Sequence, residues 1–415
     1  MNLILNWLTR DGKLLLAARI MRTFGYGFLS IIIAIYLRLL GFDNIQIGLL
    51  LGSALVNSVI FTLFASFYAD RIGRRRLLII YASLMSVSGL IFTITDNYFL
   101  LILAAFIGTM NVTGSETGAF LTIEQATLPQ TIRNKQMMNT AFALYNMVGT
   151  FSMSVGILLS GLPSLLQEQF YGLSQIESIK GLFILYTLLG LFVIIIYIML
   201  SRDIEVKQEA KRTIKQTLSP RSKQIVAKLS TLFAVDSFAG GFVIQSVISL
   251  WFFTRFGADL AAISYIFSAA NVITALSYIA AAKIADRIGL VNTMVFTHLP
   301  SNILLILVAF APSLQLAVIL YLIRMTMSQM DVPTRQSYIV AIVSEDERTA
   351  ASGLTNVSRN IAQTISPSLF GYIFQSSLSL AAPFVLGGVI KIIYDLAFYF
   401  NFRNIKPKDE LYRKD

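Results

Sequence analysis

The nine residues YADRIGRRR, Tyr68 to Arg76, lie between two long apolar segments and decide the fold more than any other stretch. A shorter copy, IADRIGLVN, occupies Ile284 to Asn292, again between apolar segments. The shared pentapeptide ADRIG begins at Ala69 and at Ala285, which are 216 positions apart in a chain of 415 residues. A charged pentapeptide repeated at half the chain length indicates two related halves in succession.

The composition indicates the medium in which this chain folds. Hydrophobic residues make up 56% of the sequence, charged residues 13%, and the mean hydropathy is +0.71, well above that of soluble proteins. No charged residue occurs in Gln46 to Ala69, Leu77 to Thr95 or Gly181 to Leu200. Each segment has about the ~20 residues that cross ~30 Å of hydrocarbon as a helix. We therefore predict an integral membrane protein.

Twelve apolar segments are long enough to span a bilayer as helices. They lie near residues 14–40, 45–69, 77–95, 98–125, 137–161, 180–200, 228–254, 260–283, 291–311, 314–338, 350–374 and 379–401. The predicted fold class is an all-α membrane protein with 12 transmembrane helices in two pseudo-symmetric six-helix bundles.

A polar, basic segment separates the sixth predicted span from the seventh and divides the chain. We predict an N-terminal six-helix bundle at 1–200, a cytoplasmic linker at 201–227, a C-terminal six-helix bundle at 228–402 and a cytoplasmic tail at 403–415. Glu124 to Asn146 corresponds to Arg335 to Asn356, at nearly the same offset as the two ADRIG copies. Twofold repeats of this kind are how secondary transporters place a midplane site between two bundles.

Lysine and arginine are distributed unevenly between the two sets of predicted loops. One set contains most of them, whereas the opposite set contains only Arg38, Lys180 and Arg255. Because basic loops stay on the cytoplasmic side, we expect a multi-pass protein of the plasma membrane with both termini in the cytoplasm. The net charge of +11 is then mostly a signal of topology, and no nucleic-acid partner is needed to explain it.

The first copy of the repeated loop resembles a motif of a known protein family. The stretch SFYADRIGRRR resembles the motif Gly-x-x-x-Asp-Arg-x-Gly-Arg-Arg between the second and third helices of the major facilitator superfamily, with Ser66 in place of the first glycine. Twelve spans, a basic central linker and a degenerate second copy of the motif extend the resemblance over essentially the whole chain. The resemblance implies a carrier that is driven by a proton or solute gradient and works by alternating access.

The motif also has a physical interpretation of its own. A tight turn between antiparallel helices needs Gly73, with a positive φ if the turn is left-handed. Asp70 can accept hydrogen bonds from arginine or from a helix start, and the arginines can hold the two halves closed as a cytoplasmic latch. The alternative is that these arginines only enforce topology. The predicted cytoplasmic gate comprises Asp70, Arg71, Gly73, Arg74, Arg75, Asp286, Arg287 and Gly289.

Polar residues within the spans are costly, so we expect them to face protein or water. The resemblance implies a central cavity lined by spans one, two, four and five of one half and seven, eight, ten and eleven of the other. The predicted substrate-cavity residues are Arg22, Tyr26, Asn57, Glu116, Asn146, Gln245, Asn271, Arg324, Asp331, Asn356, Arg359 and Gln363. Arg324 and Arg359 need a carboxylate, a carbonyl, water or a bound anion at their depth.

Some of these charged residues have structural interpretations. Asp331 and Arg335 can pair at i, i+4, with Pro333 breaking the backbone beneath them. We interpret Lys391 and Asp395 as a pair that neutralises itself. The only histidine, His298, is expected to be a packed or interfacial side chain rather than a proton relay.

Proton coupling is left open by the sequence. The Arg-x-x-Gln-Gly pattern of span four in many proton-coupled members is missing, and so is the Gly-x-x-x-Gly-Pro run of span five in drug/proton antiporters. If protons are coupled, the candidate carriers are Glu116, Glu124, Asp236 and Asp331, because desolvation can shift carboxyl groups into the neutral form.

The remaining function classes are narrowed by what the sequence lacks. With no cysteine and one histidine, we expect no metal site and no cofactor. The sequence shows no pair of nucleophile and base that would indicate an enzyme. We predict a secondary active transporter that moves a small organic or amphiphilic solute by alternating access, favouring efflux as in an antiporter, and functions as a monomer. The alternatives are uptake or exchange of an anionic solute and a lipid flippase of the same architecture.

Overall fold

The computed structural model describes residues 7–115, 118–133, 138–169, 174–205, 218–344, 347–376 and 380–405. Helices make up nearly all of these ranges, in which the β-structure is limited to an isolated bridge between Leu8 and Ile132. The helices are α1 Arg10–Leu39, α2 Asn44–Ile72, α3 Arg74–Ile94, α4 Tyr98–Ile107, α5 Ala119–Thr127, α6 Met138–Leu159, α7 Leu162–Gln169, α8 Gln175–Ile198, α9 Pro220–Gly241, α10 Gln245–Phe256, α11 Leu260–Ile288, α12 Leu290–Ala309, α13 Leu314–Met325, α14 Asp331–Ile342, α15 Arg348–Ser376 and α16 Ala382–Phe402.

Each of the twelve predicted spans coincides with one helix or with two consecutive helices. Within the described residues, nine helical stretches are long and apolar enough to cross a membrane. The predicted spans at 98–125, 228–254 and 314–338 each consist of two helices in succession. They are divided into α4 and α5, α9 and α10, and α13 and α14. The breaks at 108–118 and 326–330 are polar, but a window long enough to detect a span averages them with the apolar residues on both sides.

Local backbone chemistry accounts for the break between α4 and α5. Gly108 ends α4 in an extended conformation, and Gly114 and Gly118 have φ of +77° and +114°. Residues other than glycine rarely adopt such φ values. The Asn111 side chain accepts hydrogen bonds from the backbone N–H groups of Thr113 and Gly114, at 3.0 and 3.1 Å. The broken segment is therefore held in a defined shape by its own polar groups.

The described residues of Met1–Arg212 together with Ile244–Ser268 form one compact unit, called the first unit below. Its centre is α1, which packs against α6, α8 and α10 and is buried over most of its length. A Cβ added at Gly27 would lie 2.2 Å from the Met153 carbonyl oxygen, and one at Gly156 would lie 2.0 Å from that of Phe24. These glycines let the backbones of α1 and α6 touch, as small residues do in membrane helix pairs.

The described residues of Thr213–Val243 together with Ala269–Asp415 form the second unit. In it, α9 packs against α15 and α16, and α12 packs against α13, α14 and α16. Aromatic side chains fill its core, with Phe233 lying 6.4 Å from Tyr394 and 5.9 Å from Phe398 between ring centroids. The division into bundles at 1–200 and 228–402 remains a prediction about the internal repeat.

Candidate functional site: two buried polar clusters

The repeated loop forms a tight junction between α2 and α3. Gly73 has φ of +107°, which confirms the positive φ expected for this glycine, and Gly289 has φ of +87° in the second copy. Asp70 Oδ1 accepts a hydrogen bond from Arg74 Nε at 2.8 Å. The exposed side chains of Arg71, Asp286 and Arg287 lie beside these two junctions.

A carboxylate that sequence reasoning missed caps the start of α3. Glu205 accepts hydrogen bonds from the backbone N–H groups of Arg74 and Arg75, at 2.7 and 3.2 Å. A carboxylate at a helix N-terminus accepts hydrogen bonds from otherwise unpaired N–H groups and interacts favourably with the positive end of the helix dipole. Arg74 Nη1 also donates to the Ala126 carbonyl oxygen at 3.1 Å, and Arg75 Nε to that of Tyr197 at 3.3 Å. These contacts all lie within the first unit, and the latch between two halves stays a prediction.

The first buried cluster, in the first unit, comprises Arg22, Glu124, Tyr145 and Tyr197. Glu124 accepts from Arg22 Nη2 at 2.5 Å, from Tyr145 Oη at 2.6 Å and from Tyr197 Oη at 2.7 Å. The four side chains come from α1, α5, α6 and α8 and are fully buried. Removing one partner of such a pair leaves an uncompensated buried charge and costs about 3–5 kcal/mol.

Two arginines of α1 also lie over aromatic rings. The Arg22 guanidinium is 4.2 Å from the centroid of Phe120, and that of Arg19 is 3.6 Å from the centroid of Tyr145. A guanidinium over a ring gains roughly 0.5–2 kcal/mol, depending on desolvation. Aromatic side chains thus help to hold cationic groups in the apolar part of the first unit.

A narrow crevice in the first unit brings together two predicted substrate-cavity residues, Tyr26 and Asn57, with Ser58. Its cavity volume is about 20 Å³, which is room for a water molecule and not for an organic solute. Asn57 Nδ2 donates to the backbone oxygen of Phe106. Gln245 Nε2, at the start of α10, donates to Ser30 Oγ at 2.9 Å. The first unit is therefore closely packed around these residues.

The second buried cluster, in the second unit, comprises Asp236, His298, Asp331, Arg335, Lys391 and Asp395. Asp236 of α9 accepts from Lys391 Nζ of α16 at 2.5 Å. Arg335 Nη1 of α14 lies 2.5 Å from Asp331 Oδ2 and 3.8 Å from Asp236 Oδ2. The predicted i, i+4 pairing of Asp331 and Arg335 is confirmed. Pro333, however, lies in the first turn of α14, and the backbone breaks before Asp331.

A histidine bridges the second buried cluster to α12. His298 Nδ1 lies 2.8 Å from Asp395 Oδ1, and His298 Nε2 lies 3.9 Å from Asp236 Oδ1. Asn302 Nδ2 donates to Asp395 Oδ2 at 2.9 Å. The expected self-neutralising pair of Lys391 and Asp395 was wrong, because each side chain reaches a different helix. Lys391 and Asp395 are about one turn apart on α16, but the sequence does not show that their partners are Asp236 of α9 and His298 of α12.

The two arginines expected to contact solute differ in their partners. Arg359 Nε of α15 donates to Ser237 Oγ at 2.9 Å. Arg324, at the end of α13, is 7% exposed and donates from Nη1 to Met325 Sδ at 3.4 Å. Among the residues that the structure describes, no carboxylate lies within ion-pair distance of Arg324, and its Nε has no hydrogen-bond partner. A buried guanidinium of this kind needs a counter-charge or water.

The remaining predicted cavity residues are more scattered. Asn146 and Asn356 are exposed, whereas Asn271 and Gln363 are half-buried. The Nδ2 atom of Asn271 is buried without a hydrogen-bond partner in the described part of the chain. Glu116 lies outside the described residues. In the same ranges, no group of three or more histidine, cysteine or acidic side chains is arranged to hold a metal ion.

A further carboxylate lies in the loop that precedes α15. Glu347 accepts from the Ser219 backbone N–H at 2.5 Å, from Ser222 Oγ at 2.6 Å and from Ser344 Oγ at 2.6 Å. These hydrogen bonds, first of all the one from Ser219, lower the pKa of Glu347 to about 2. Glu347 therefore ties the start of α9 to the start of α15. In the sequence Glu347 is the last of three consecutive acidic residues, and nothing there distinguishes it from Glu345 and Asp346.

Comparison with known proteins supports a transporter fold. The sequence model of the Major Facilitator Superfamily matches residues 15–328 and 231–414. An uncharacterized membrane protein of Saccharomyces cerevisiae is 24% identical over 96% of this chain and 96% of its own length. An uncharacterized MFS-type transporter of Methanocaldococcus jannaschii is 21% identical over 90% of this chain and 94% of its own.

Solved structures have the same fold. A mutant form of the nucleoside transporter NupG superposes with a TM-score of 0.77 at 14% identity, covering 95% of this chain and 100% of its own. A D-xylose-proton symporter superposes with a TM-score of 0.73 at 14% identity, covering 96% of this chain and 98% of its own. The predicted fold class, an all-α membrane protein with the major facilitator fold, is confirmed. The chain belongs to the major facilitator superfamily of membrane transporters.

Proposed function

We propose that the chain is a secondary active transporter that exports a small organic or amphiphilic solute by alternating access. The observation that carries the proposal is the pair of breaks in spans four and ten, between α4 and α5 and between α13 and α14. Interrupted hydrophobic segments at corresponding positions of two repeats are the best bottom-up pointer to a transport site. Each break lies near a buried cluster, with Glu124 following the first and Asp331 the second.

Proton coupling is part of this proposal. Glu124, Asp236 and Asp331 are buried carboxylates in the predicted spans, and each has cationic or hydroxyl partners whose rearrangement can change its protonation. Intramembrane acids of this kind mark ion pathways in many transporters. A proton symporter has the same fold, which is consistent with the proposal at the level of architecture. We further propose a monomer in the plasma membrane with both termini in the cytoplasm, on the distribution of lysine and arginine.

A second candidate, transport of an anionic solute, is favoured by Arg324. Its buried guanidinium has no carboxylate partner among the described residues, so a carboxylate or phosphate group of a solute can supply the missing charge. Guanidinium groups bind planar oxyanions in a bidentate manner, which lysine cannot reproduce.

The test is a stabilisation screen followed by flux measurements. Purified protein is heated with nucleosides, sugars, amino acids, organic anions and lipophilic cations, since a ligand at 100 times its Kd adds about 2.7 kcal/mol of stability. Stabilising compounds are then followed in proteoliposomes with and without a pH difference, beside a fluorescent lipid reporter. Movement of the lipid reporter alone would favour a flippase, and no stabilisation together with no flux would contradict the transport proposal.

Arg324→Lys separates the two candidates within the same screen. For an anionic ligand we expect roughly tenfold weaker binding, because a bidentate contact becomes a point charge. Arg255→Lys, at the exposed end of α10, is the matched control. Unchanged affinity of an anion in Arg324→Lys would exclude Arg324 as its binding residue.

A further inference from the structure

We propose that His298, held between Asp395 and Asp236, is a proton-binding site that carries the coupling proton of this transporter. The inference rests on the proposed function and specifies its coupling site. It assigns to α12 and α16 a role in ion binding, which the sequence analysis gave only to acids of other spans.

The geometry determines which nitrogen of His298 can bind the proton. Nδ1 lies 2.8 Å from Asp395 Oδ1 and 3.3 Å from Asn302 Nδ2, and with an ionised Asp395 the hydrogen of this contact is on Nδ1. Asn302 Nδ2 donates to the second oxygen of Asp395 and keeps this carboxylate oriented. The free position is therefore Nε2, which points toward Asp236 Oδ1 at 3.9 Å. Protonation of Nε2 makes the imidazole a cation between two carboxylates.

Within the described residues, the imidazole lies 2.8 Å from Asp395, 3.9 Å from Asp236 and, between ring centroids, 6.1 Å from Tyr394. The helices of the second unit also carry charged or titratable side chains farther from the ring, which are Tyr321 and Arg324 on α13, Asp331 and Arg335 on α14, Arg359 on α15 and Lys391 on α16. In the described part of this cluster, the carboxylates of Asp236, Asp331 and Asp395 oppose the cations of Arg335, Arg359 and Lys391. These six charges sum to zero with a neutral imidazole, Arg324 of α13 adds one positive charge, and a proton bound at His298 adds another.

Asp395 needs a positively charged partner, which protonated His298 supplies in one state of the cluster and Lys391 in the other. It is 2% exposed, and its described partners are His298 and Asn302, without an arginine or lysine. A buried carboxylate without a cation is unstable, so a protonated His298 neutralises it locally. Lys391 lies four residues before Asp395 on α16 and now binds Asp236. When the proton leaves Nε2, Lys391 can turn to Asp395, and the contact between α16 and α9 is released.

The internal repeat provides an argument against a purely structural role. Spans three and six are the counterparts of the spans that contain α12 and α16. Their sequences, Leu77 to Thr95 and Gly181 to Leu200, contain no charged residue. Yet α3 and α8 pack together in the first unit as α12 and α16 do in the second. The architecture therefore folds without buried charges at this interface, and the second unit holds them for another purpose.

The single histidine makes the site directly observable. Protein labelled with 15N-histidine, wild type and full length in lipid nanodiscs, gives resonances from His298 alone. Between about pH 9 and pH 5 we expect the Nε2 resonance to move from the neutral to the charged value while Nδ1 stays protonated. An Nε2 resonance that is constant over this range would show a fixed structural partner and overturn the proposal. The measurement uses no variant, so misfolding cannot obscure it.

Asp395→Asn tests the partner. The amide cannot pair with an imidazolium, so we expect the titration to be displaced by about one pH unit or more. An unchanged titration curve would remove Asp395 from the site. Asp96→Asn, which alters an exposed loop acid paired with Lys180, is the matched control and leaves the curve unchanged.

Coupling to conformation is measured without a solute. The chain has no cysteine, so Ser58→Cys gives a single labelling site. Since the crevice around Ser58 has room only for water here, a charged maleimide reaches this site only when the crevice opens. Because maleimide reacts with the thiolate, each rate is divided by the rate of the same variant unfolded at the same pH. We expect this normalised rate to change with pH, and the change to be lost in His298→Gln. A normalised rate that keeps its pH dependence in His298→Gln would overturn the coupling role. If His298 titrates but no solute moves, the transport proposal fails and the proton site remains. If solute moves but the imidazole of His298 does not titrate, the transport proposal stands and the proton site is excluded.

Discussion

At the residue scale, most buried charges in this transporter are stabilised by partners from other helices, whereas Asp331 pairs with Arg335 on its own helix. Glu124 receives three hydrogen bonds from α1, α6 and α8, and Asp236 receives its closest one from α16. Such partners are separated by 21 to 155 positions, so no local pattern reveals them. Glu347 follows the same rule outside the membrane, where its protonation can be related to stability.

We expect Glu347 to make stability depend on pH at the acidic end. Its pKa is about 2 in the folded protein and near 4.5 without its hydrogen bonds, so its stabilising contribution is complete above pH 4.5. The contribution is lost as the pH falls from 4.5 toward 2, because the unfolded chain takes up the proton first.

Thermal unfolding of the detergent-solubilised protein provides the measurement. Glu347→Gln should unfold at a lower temperature than wild type at neutral pH, and the difference should shrink as the pH is lowered through this window. Ser344→Ala removes one of the three donors and should have a smaller effect. A constant difference between wild type and Glu347→Gln at all pH values would show that charge is not responsible.

At the element scale, hydropathy located the helices but not their interruptions. The start of α2, the end of α8 and most of α1 lie within a few residues of the predicted bounds, because length and apolarity alone determine a membrane span. The breaks at 108–118, 242–244 and 326–330 are determined by φ values and side-chain hydrogen bonds, which a hydropathy window averages away. The Gly73 turn was predictable because its flanking charges mark a loop, whereas the Glu205 cap comes from a distant segment.

Gly73→Ala tests the turn between α2 and α3. A side chain at φ of +107° is strained, and we expect a loss of about 1–2 kcal/mol in unfolding free energy. Its added Cβ would also lie 3.2 Å from the Glu205 carboxylate that caps α3. Gly181→Ala in α8, where a Cβ meets no atom within 4 Å, is the control and should be neutral or slightly stabilising. Equal effects in both variants, measured by denaturant unfolding, would contradict a special conformation at Gly73.

At the scale of the whole molecule, the two units use one arrangement with opposite polarity. Arg22 lies eight residues after the start of predicted span one, and Asp236 lies eight residues after the start of span seven. Glu124 and Arg335 likewise begin the two corresponding segments. In the first unit Arg22 pairs with Glu124, and in the second Asp236 faces Arg335 with the charges exchanged. The internal repeat stays a prediction from the two ADRIG copies, and the exchanged charges are visible only from the paired positions in the structure.

The repeated loop leads to a prediction about the whole transport cycle. If Asp70 is part of a cytoplasmic latch, Asp70→Asn should slow the exchange between conformations while the protein inserts and folds normally. Asp70 is 59% exposed and bonds Arg74 at 2.8 Å, so its loss should cost no more than about 1 kcal/mol of stability. Asp96, 51% exposed and 2.9 Å from Lys180, forms an ion pair of similar exposure and length and also accepts from Tyr36 Oη at 3.0 Å. Asp96→Asn therefore controls for the loss of an exposed ion pair and perturbs one further contact.

The two variants are compared by the maleimide labelling rate of Ser58→Cys and by thermal unfolding. A latch predicts a several-fold change in labelling for Asp70→Asn and none for Asp96→Asn, with similar unfolding temperatures. Asp286→Asn should do less than Asp70→Asn, because Leu290 and Val291 replace the arginines that follow Gly73. If Asp70→Asn labels like the wild type, the motif only shapes the first unit through Arg74 and Glu205. Its arginines then serve topology, and closure of the transporter depends on other contacts.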